Sequence, residues 1–223
     1  MDTNHSRRSF LQKSMAAGVG LSLVGSLSAH TMMKKPKMKF GLVTYQWGKD
    51  WDLPTLIANC EKTGYLGVEL RTQHAHGVET NLSASERKEV KKRFTDSPVT
   101  CVGYGSNFDY HHVDQGKLRE SIEGTKEYIK LCSDIGATDI KVKPNALPKE
   151  VSREQTIAQI AASLNEVGKY AGDMGQLVRV EVHGRETQKL PNMKAIFEQV
   201  TEKSVKICWN CNDQDLLAPG LEA

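Results

Sequence analysis

The chain has 223 residues, 39% of them apolar, and a mean hydropathy of −0.47, which suits one soluble domain with a sizeable core and excludes a disordered or membrane-embedded chain. Its net charge of +3 is concentrated at the start: residues 1–29 hold +2 and residues 30–39 hold +4, which leaves −3 on the rest. A body of that sign has no general attraction for phosphate backbones, so nucleic acid is not an expected partner.

The first residues read as an address. Ser6-Arg7-Arg8-Ser9-Phe10-Leu11-Gln12-Lys13 resembles the twin-arginine export signature. The apolar stretch at 15–29 is rich in Gly, Ala and Ser and shorter than the roughly 20 residues of a membrane helix, as expected of a cleavable signal core removed near Ser28 or Ala29. The resemblance implies export to the periplasm by a route that carries proteins already folded, often around a cofactor. No stable membrane span is expected after cleavage. Residues 30–38 form a Lys-rich linker and residues 39–223 the folded domain. The five cysteines agree with this: the number is odd, and Cys60, Cys101, Cys132 and Cys208 lie in apolar helix or strand contexts rather than at disulfide-like spacings.

Beyond the linker a two-part unit recurs, a short β-branched run followed by an amphipathic stretch. Residues 40–45 are the first predicted strand; Asp52 with Pro54 opens the first helix and Gly64 closes it. A strand at 67–70 leads to Ser83-Ala84-Ser85-Glu86, a capping box at the head of the second helix. After a strand at 99–104, Asp114 caps a third helix whose Leu118, Ile122, Tyr128, Ile129 and Leu131 fall at helical spacing, with Gly136 as its stop. A strand at 139–142 precedes a helix over 152–174 built on Ile157, Ile160, Leu164 and Val167. Strands at 178–182 and 205–209 follow, with a shorter helix at 192–200 between them.

Strict alternation makes a parallel sheet, either a closed barrel or an open doubly wound sheet. Without a Gly-x-Gly-x-x-Gly fingerprint or a phosphate loop, the nucleotide-binding open sheet has no support. A closed barrel needs eight strands and about 250 residues. The expected fold is therefore α/β, a (β/α) barrel of the TIM type, incomplete at about six of eight βα units.

In such folds the strand C-termini form the active rim. Those positions supply Gln46 and Trp47, Glu69 and Arg71, Ser106 and Asn107, Lys143, Glu181 and His183, and Asn210 and Asp213. A purely structural sheet would not need polar groups at every strand end. Glu181 and His183 form the sharpest pair, because alternating side chains put both on the face opposite Val180 and Val182. A carboxylate at the top of a barrel interior is costly unless it meets a cation, and a Glu oxygen beside imidazole and amide groups suits Mn²⁺, Mg²⁺ or Zn²⁺. Pairing of Glu181 with Arg179 on the same face is the plain structural alternative.

Gly64-Tyr65-Leu66-Gly67-Val68-Glu69-Leu70-Arg71, Val180-Glu181-Val182-His183-Gly184 and Ile207-Cys208-Trp209-Asn210-Cys211-Asn212-Asp213 resemble the second, fifth and sixth strand motifs of the xylose isomerase-like family of sugar isomerases and epimerases. The resemblance implies a metal-dependent isomerase or epimerase that moves a proton next to the carbonyl of a small sugar or cyclitol. It implies a divalent cofactor (Mn, Mg, Zn or Co), Glu181 as metal ligand and base, and His183 as its catalytic neighbour. The sixth-strand metal ligand, Asp in the family, falls on Asn210, and a family His falls on Asp213. Trp47, Glu69, Arg71, His74, Asn107, Lys143 and Asp213 are the expected substrate contacts. The family's ligands on the seventh and eighth strands have no counterpart before residue 223, so the chain is expected to be C-terminally incomplete, with weak or no activity. Association into an oligomer is compatible with all of this.

Other features point less sharply. His74 and His76 follow the second strand and could meet substrate or form a solvated loop pair, whereas His111 and His112 read as surface. Cys208-Trp209-Asn210-Cys211 matches C-x-x-C, but residues three apart on a strand face opposite sides and no second pair exists for zinc. Trp47 and Trp209 could stack on a sugar or pack in the core. Two rival functions remain in view: a catalytically weak carbohydrate-binding barrel, favoured by Asn210, and a metal-dependent nuclease of the abasic-site type, disfavoured by the body's charge and the export signal.

Overall fold

The computed structural model describes residues 40–211. The expected export signal and linker, and Asp213, lie outside the described residues. No described helix is long and apolar enough to cross a membrane.

Strands and helices alternate in the order β1 (Gly41–Val43), α1 (Leu53–Thr63), β2 (Gly67–Arg71), α2 (Ala84–Thr95), β3 (Thr100–Asp109), α3 (Gln115–Ile135), β4 (Asp139–Lys143), β5 (Asn145–Ala146), α4 (Arg153–Asp173), β6 (Leu177–Glu181), β7 (Gly184–Arg185), α5 (Leu190–Phe197) and β8 (Val205–Cys208). Six strands form one sheet in the order β1-β2-β3-β4-β6-β8, and all neighbours run parallel. The two-residue strands β5 and β7, absent from the sequence reading, pair only with each other. A doubly wound sheet reverses its strand order at a switch point; this one never reverses, which is the winding of a barrel. Among the described residues the sheet is a six-strand arc of a (β/α) barrel.

Local chemistry sets the helix ends. Asp52 Oδ1 accepts the Thr55 N–H at 2.9 Å, Pro54 occupies the first turn, and Gly64 closes α1 at φ 79°. Both bonds of the Ser83–Glu86 capping box are present. Asp114 and Gly136 bound α3, and Ser152 caps α4. Helix α5 starts at Leu190 instead of 192, because Pro191 in its first turn gives up only an N–H that would be orphaned anyway.

Three strand ends differ from expectation. After Val43 the chain folds back, with the Tyr45 N–H donating to the Val43 carbonyl at 2.7 Å, so β1 ends before Gln46 and Trp47. Strand β3 continues through Ser106 and Asn107 to Asp109, with an irregular register against β4 between Gly105 and Asp109. Strand β8 stops at Cys208, short of Trp209.

Alternation along the central strands separates two environments. Val68, Leu70, Ile140, Val142, Val178, Val180 and Val182 are fully buried in one cluster with Leu56, Ile129, Ile160, Leu164 and Val167 from the helices. The intervening positions carry Glu69, Asp139, Lys141, Arg179 and Glu181. One face of the sheet is an apolar core; the other is charged.

Candidate functional site

The charged side chains form a ladder of alternating sign along the barrel face of the sheet. Asp139 Oδ1 accepts from Arg179 Nε at 2.6 Å, and the Arg179 Nη2 reaches Glu69 Oε2 at 2.9 Å. Glu69 Oε1 meets Lys141 Nζ at 2.8 Å, and that ammonium lies 3.8 Å from Glu181 Oε2. Asn210 Nδ2 closes the series on Glu181 Oε1 at 3.2 Å. Glu69, Asp139, Lys141, Arg179, Glu181 and Asn210 are thus brought together, and Glu181 stands at its C-terminal end. The expected alternative partner of Glu181, Arg179, is engaged with Asp139 and Glu69 instead.

Space for the ladder comes from β3. A Cβ at Gly103 would overlap the Asp139 carboxylate and sit 2.7 Å from Arg179 Nη2. A Cβ at Gly105 would stand 2.7 Å from Glu69 Oε1 and 2.8 Å from Arg71 Cδ. The Gly103-Tyr104-Gly105 pattern was therefore a readable signal of close side-chain approach in a strand, missed in the sequence. Burial raises the Asp139 carboxyl against the pull of Arg179. For Arg179, burial opposes the charge, but Asp139 and Glu69 outweigh it and hold the guanidinium above its ordinary range.

Of the other expected rim residues, Lys143 senses Glu181 directly. Burial, reinforced by Arg71, lowers the Lys143 ammonium, while Glu181 and Asp109 oppose the shift. Arg71 donates to Asn107 Oδ1 at 2.8 Å and covers the Tyr45 ring at 5.3 Å, and its Nε is buried without a hydrogen-bond partner. His74 Nδ1 is 3.2 Å from Thr44 Oγ1, which also accepts the Arg71 N–H at 2.9 Å. His183 has a buried Nδ1 with no hydrogen-bond partner. Trp47 is 69% exposed and Trp209 43%, so neither packs in the core.

Three expectations need correction. His76 is buried with both ring nitrogens engaged, Nε2 with the Arg71 carbonyl at 2.8 Å and Nδ1 with the Val78 N–H at 3.0 Å; it braces the β2–α2 loop rather than facing a substrate. Ser106 is buried and donates to the Lys141 carbonyl at 2.7 Å, so it fixes β3 to β4. His111 and His112, read as surface, are part-buried and gather on Asp109. His112 Nε2 is 2.5 Å and His111 Nδ1 3.7 Å from Asp109 Oδ1, and the two rings stack at 4.8 Å. Adjacent histidines two residues after an aspartate were the signal available in sequence.

The donor chemistry at Glu181 fits a hard cation. It offers a carboxylate oxygen and, with the Asn210 amide turned over, an amide oxygen, the kind of sparse oxygen set that Mg²⁺ accepts while keeping waters and substrate oxygens. A zinc centre needs three protein ligands. Among the described residues a group of three metal-capable side chains is Asp109, His111 and His112.

A monotone parallel sheet with an ionisable rim defines a protein of the (β/α) barrel class. Residues 57–212 match the model of the xylose isomerase-like TIM barrel, and the chain belongs to that family. No curated protein matches the sequence. Among solved structures, the IOLI protein with a bound zinc atom superposes with a TM-score of 0.65 at 18% identity, over 76% of this chain and 62% of that one. The 3-keto-D-glucoside 4-epimerase YcjR of E. coli gives 0.63 at 15%, over 78% of this chain and 68% of the other. D-psicose 3-epimerase in the presence of D-fructose gives 0.63 at 17%, over 77% and 63%. The chain thus spans about three fifths of the length of the first and third of these. At these identities the likeness is one of fold. Sugar epimerases recur among these neighbours.

Proposed function

We propose that this chain belongs to a metal-dependent isomerase or epimerase of a sugar or cyclitol, exported to the periplasm by its twin-arginine signal, with Glu181 as the base. The observation that carries the reading is the setting of Glu181, at the end of a barrel strand between the Asn210 amide at 3.2 Å and the Lys141 ammonium at 3.8 Å. Glu181 takes the proton from the carbon next to the carbonyl; the C–H electrons move into the new C=C bond and the carbonyl π electrons onto oxygen. Lys141 and Lys143 face the charge that develops there, and electrostatic stabilisation of this kind is usually the largest single contribution to the rate. Return of the proton to the former carbonyl carbon, with the hydroxyl proton of the neighbouring carbon passing to the former carbonyl oxygen, isomerises the sugar; return to the opposite face of the same carbon epimerises it. Glu181 and Asn210 would hold a divalent metal, which would supply Lewis-acid polarisation of the carbonyl. Arg71, with its buried unpartnered Nε, His74, Asn107, Glu69 and the exposed Trp47 serve to hold and orient the substrate, and His183 to assist Glu181.

The test is proton exchange in D₂O. With Mn²⁺ supplied and a panel of ketoses and aldoses, NMR should show deuterium entering the carbon next to the carbonyl. Glu181→Gln should slow exchange by about 10²- to 10⁴-fold. Exchange that survives this substitution unchanged removes Glu181 from the mechanism. The rival reading, a carbohydrate-binding barrel, draws on Asn210 and on the Lys141 ammonium that already faces Glu181; saturable sugar binding without any exchange would support it.

A further inference from the structure

We propose that Asp109, His111 and His112 form a second metal site, separate from Glu181 and Asn210, that takes zinc or a similar divalent transition ion. Their ligand atoms all lie within 4.8 Å of one another. Two imidazoles and one carboxylate are the donor set of catalytic zinc and of facial-triad iron centres, both of which leave coordination positions open.

The surroundings are those of a held site. Asp109 Oδ2 accepts from Asn145 Nδ2 at 2.7 Å, which turns Oδ1 toward both rings. An outer partner of this kind commonly orients a metal-ligating carboxylate. Asn145 holds this position in a left-handed conformation, φ 72°, against the Gly184 backbone, where a Cβ would overlap the Asn145 carbonyl. Gln159 on α4 donates from one Nε2 to the carbonyls of both Tyr110 and His112 at 2.9 Å, and Tyr110 is buried and bonded to Thr125. The segment 109–112 is therefore fastened to α3, α4 and the β5–β7 pair.

Within that frame one atom is unsatisfied. His111 Nδ1 is buried with no hydrogen-bond partner and stands 3.7 Å from Asp109 Oδ1, too far for a hydrogen bond. A tetrahedral ion with bonds of about 2.0 to 2.1 Å separates its ligand atoms by about 3.3 Å. The observed separations of 3.7 Å and 2.5 Å bracket that value, so sub-ångström to roughly ångström shifts of the side chains accommodate an ion that satisfies Nδ1. In the barrel rim, Asp109 pairs in register with Lys143, the residue that also senses Glu181. The site would stand two strands from the proposed base, with β4 between them.

The experiment strips the full chain with a chelator and follows Zn²⁺ uptake by elemental analysis and competition, with Co²⁺ as an absorbing substitute. One tightly held zinc is expected, retained in Glu181→Ala and in the double variant Cys208→Ser/Cys211→Ser. His111→Ala and His112→Ala should each weaken it by roughly 100-fold or more, and Asn145→Ala by about 10- to 100-fold. Circular dichroism of the apo-variants checks folding, and the Co²⁺ spectrum of the unmodified chain should report nitrogen and oxygen ligands without thiolate. Uptake that follows Glu181 or the cysteines, zinc affinity untouched by both histidine variants, or no zinc bound at micromolar concentration would each overturn the proposal.

Discussion

The two clusters that meet at Lys143 are built in opposite ways. The ladder from Asp139 to Asn210 draws on separate strands, and its Arg179–Glu69 bond joins residues 110 apart in sequence. Asp109, His111 and His112 come from one short segment. The ladder is also the more enclosed: Glu69 is 6% exposed and Asp139 10%, whereas the Asp109 trio ranges from 13% to 28%. Buried charges must be paired for the fold to persist, so the ladder is part of the stability of the barrel. The trio is spared that constraint, and its geometry is held by neighbours whose removal should be felt in binding more than in folding.

The largest effect that would sharpen this contrast is in Arg179→Met. It leaves Glu69 and Asp139 facing each other without their shared cation, and breaking a buried pair in this way costs about 3 to 5 kcal/mol. Urea unfolding should show a loss of that order. A loss under 1 kcal/mol would mean that the ladder is incidental to folding.

Next is Gly105→Ala. The added methyl stands 2.7 Å from Glu69 Oε1 and must displace a side chain already paired with both Lys141 and Arg179. Overpacking of this kind costs about 1 to 3 kcal/mol. Combining it with Glu69→Ala should recover part of the loss; strict additivity of the two changes would argue against direct contact.

The acid response isolates a third element, the loop beneath the rim. Burial, above all, lowers the His76 imidazole, against the opposing effects of its Arg71 carbonyl bond and of Glu79. A depressed native pKa means that the unfolded chain binds the proton more readily. The neutral ring's contribution is therefore fully present above the ordinary histidine range, about 6.5, and is lost as pH falls through the lower native pKa. Each unit of depression corresponds to about 1.4 kcal/mol. Melting temperature should decline below pH 6.5 more steeply in the parent than in His76→Gln, and parallel curves would refute the assignment.

What was legible in sequence follows the same division. Helix ends were readable because capping is local chemistry: Asp52, Ser83, Asp114 and Ser152 each bond within three residues. Strand parity was readable too: it put Glu181 on the face opposite Val180 and Val182, and those valines are buried in the core while Glu181 joins the ladder. The choice of barrel over open sheet was legible as well, from strict alternation without a nucleotide-binding fingerprint, and the unreversed strand order agrees with it. The ladder role of Arg179 was less legible: it was weighed only as a partner for Glu181, and its place beside Asp139 depends on the room left by Gly103 of another strand. His111 and His112 were misread because exposure was inferred from their loop alone, while the residues that enclose them, Asn145 and Gln159, lie 36 and 47 positions away from Asp109 and His112 respectively.

The smallest expected stability change belongs to Asn145→Gly, and it separates folding from binding most cleanly. Asn145 sits at φ 72°, a conformation that glycine adopts without steric cost, so the substitution relieves backbone strain. It also removes the bond to Asp109 Oδ2, a part-buried contact worth about 0.5 to 1.5 kcal/mol. The greater freedom of glycine in the unfolded chain offsets some of the relief. These contributions oppose one another and are of similar size, so thermal stability should move by no more than about 0.5 kcal/mol. Metal affinity has no such compensation, because the freed Asp109 carboxylate can rotate Oδ1 away from the histidines. Zinc binding should therefore weaken by about 10- to 100-fold while the melting curve stays in place. A coupled fall of both would show that Asn145 supports the barrel as a whole, and unchanged zinc binding would show that the carboxylate needs no orienting partner.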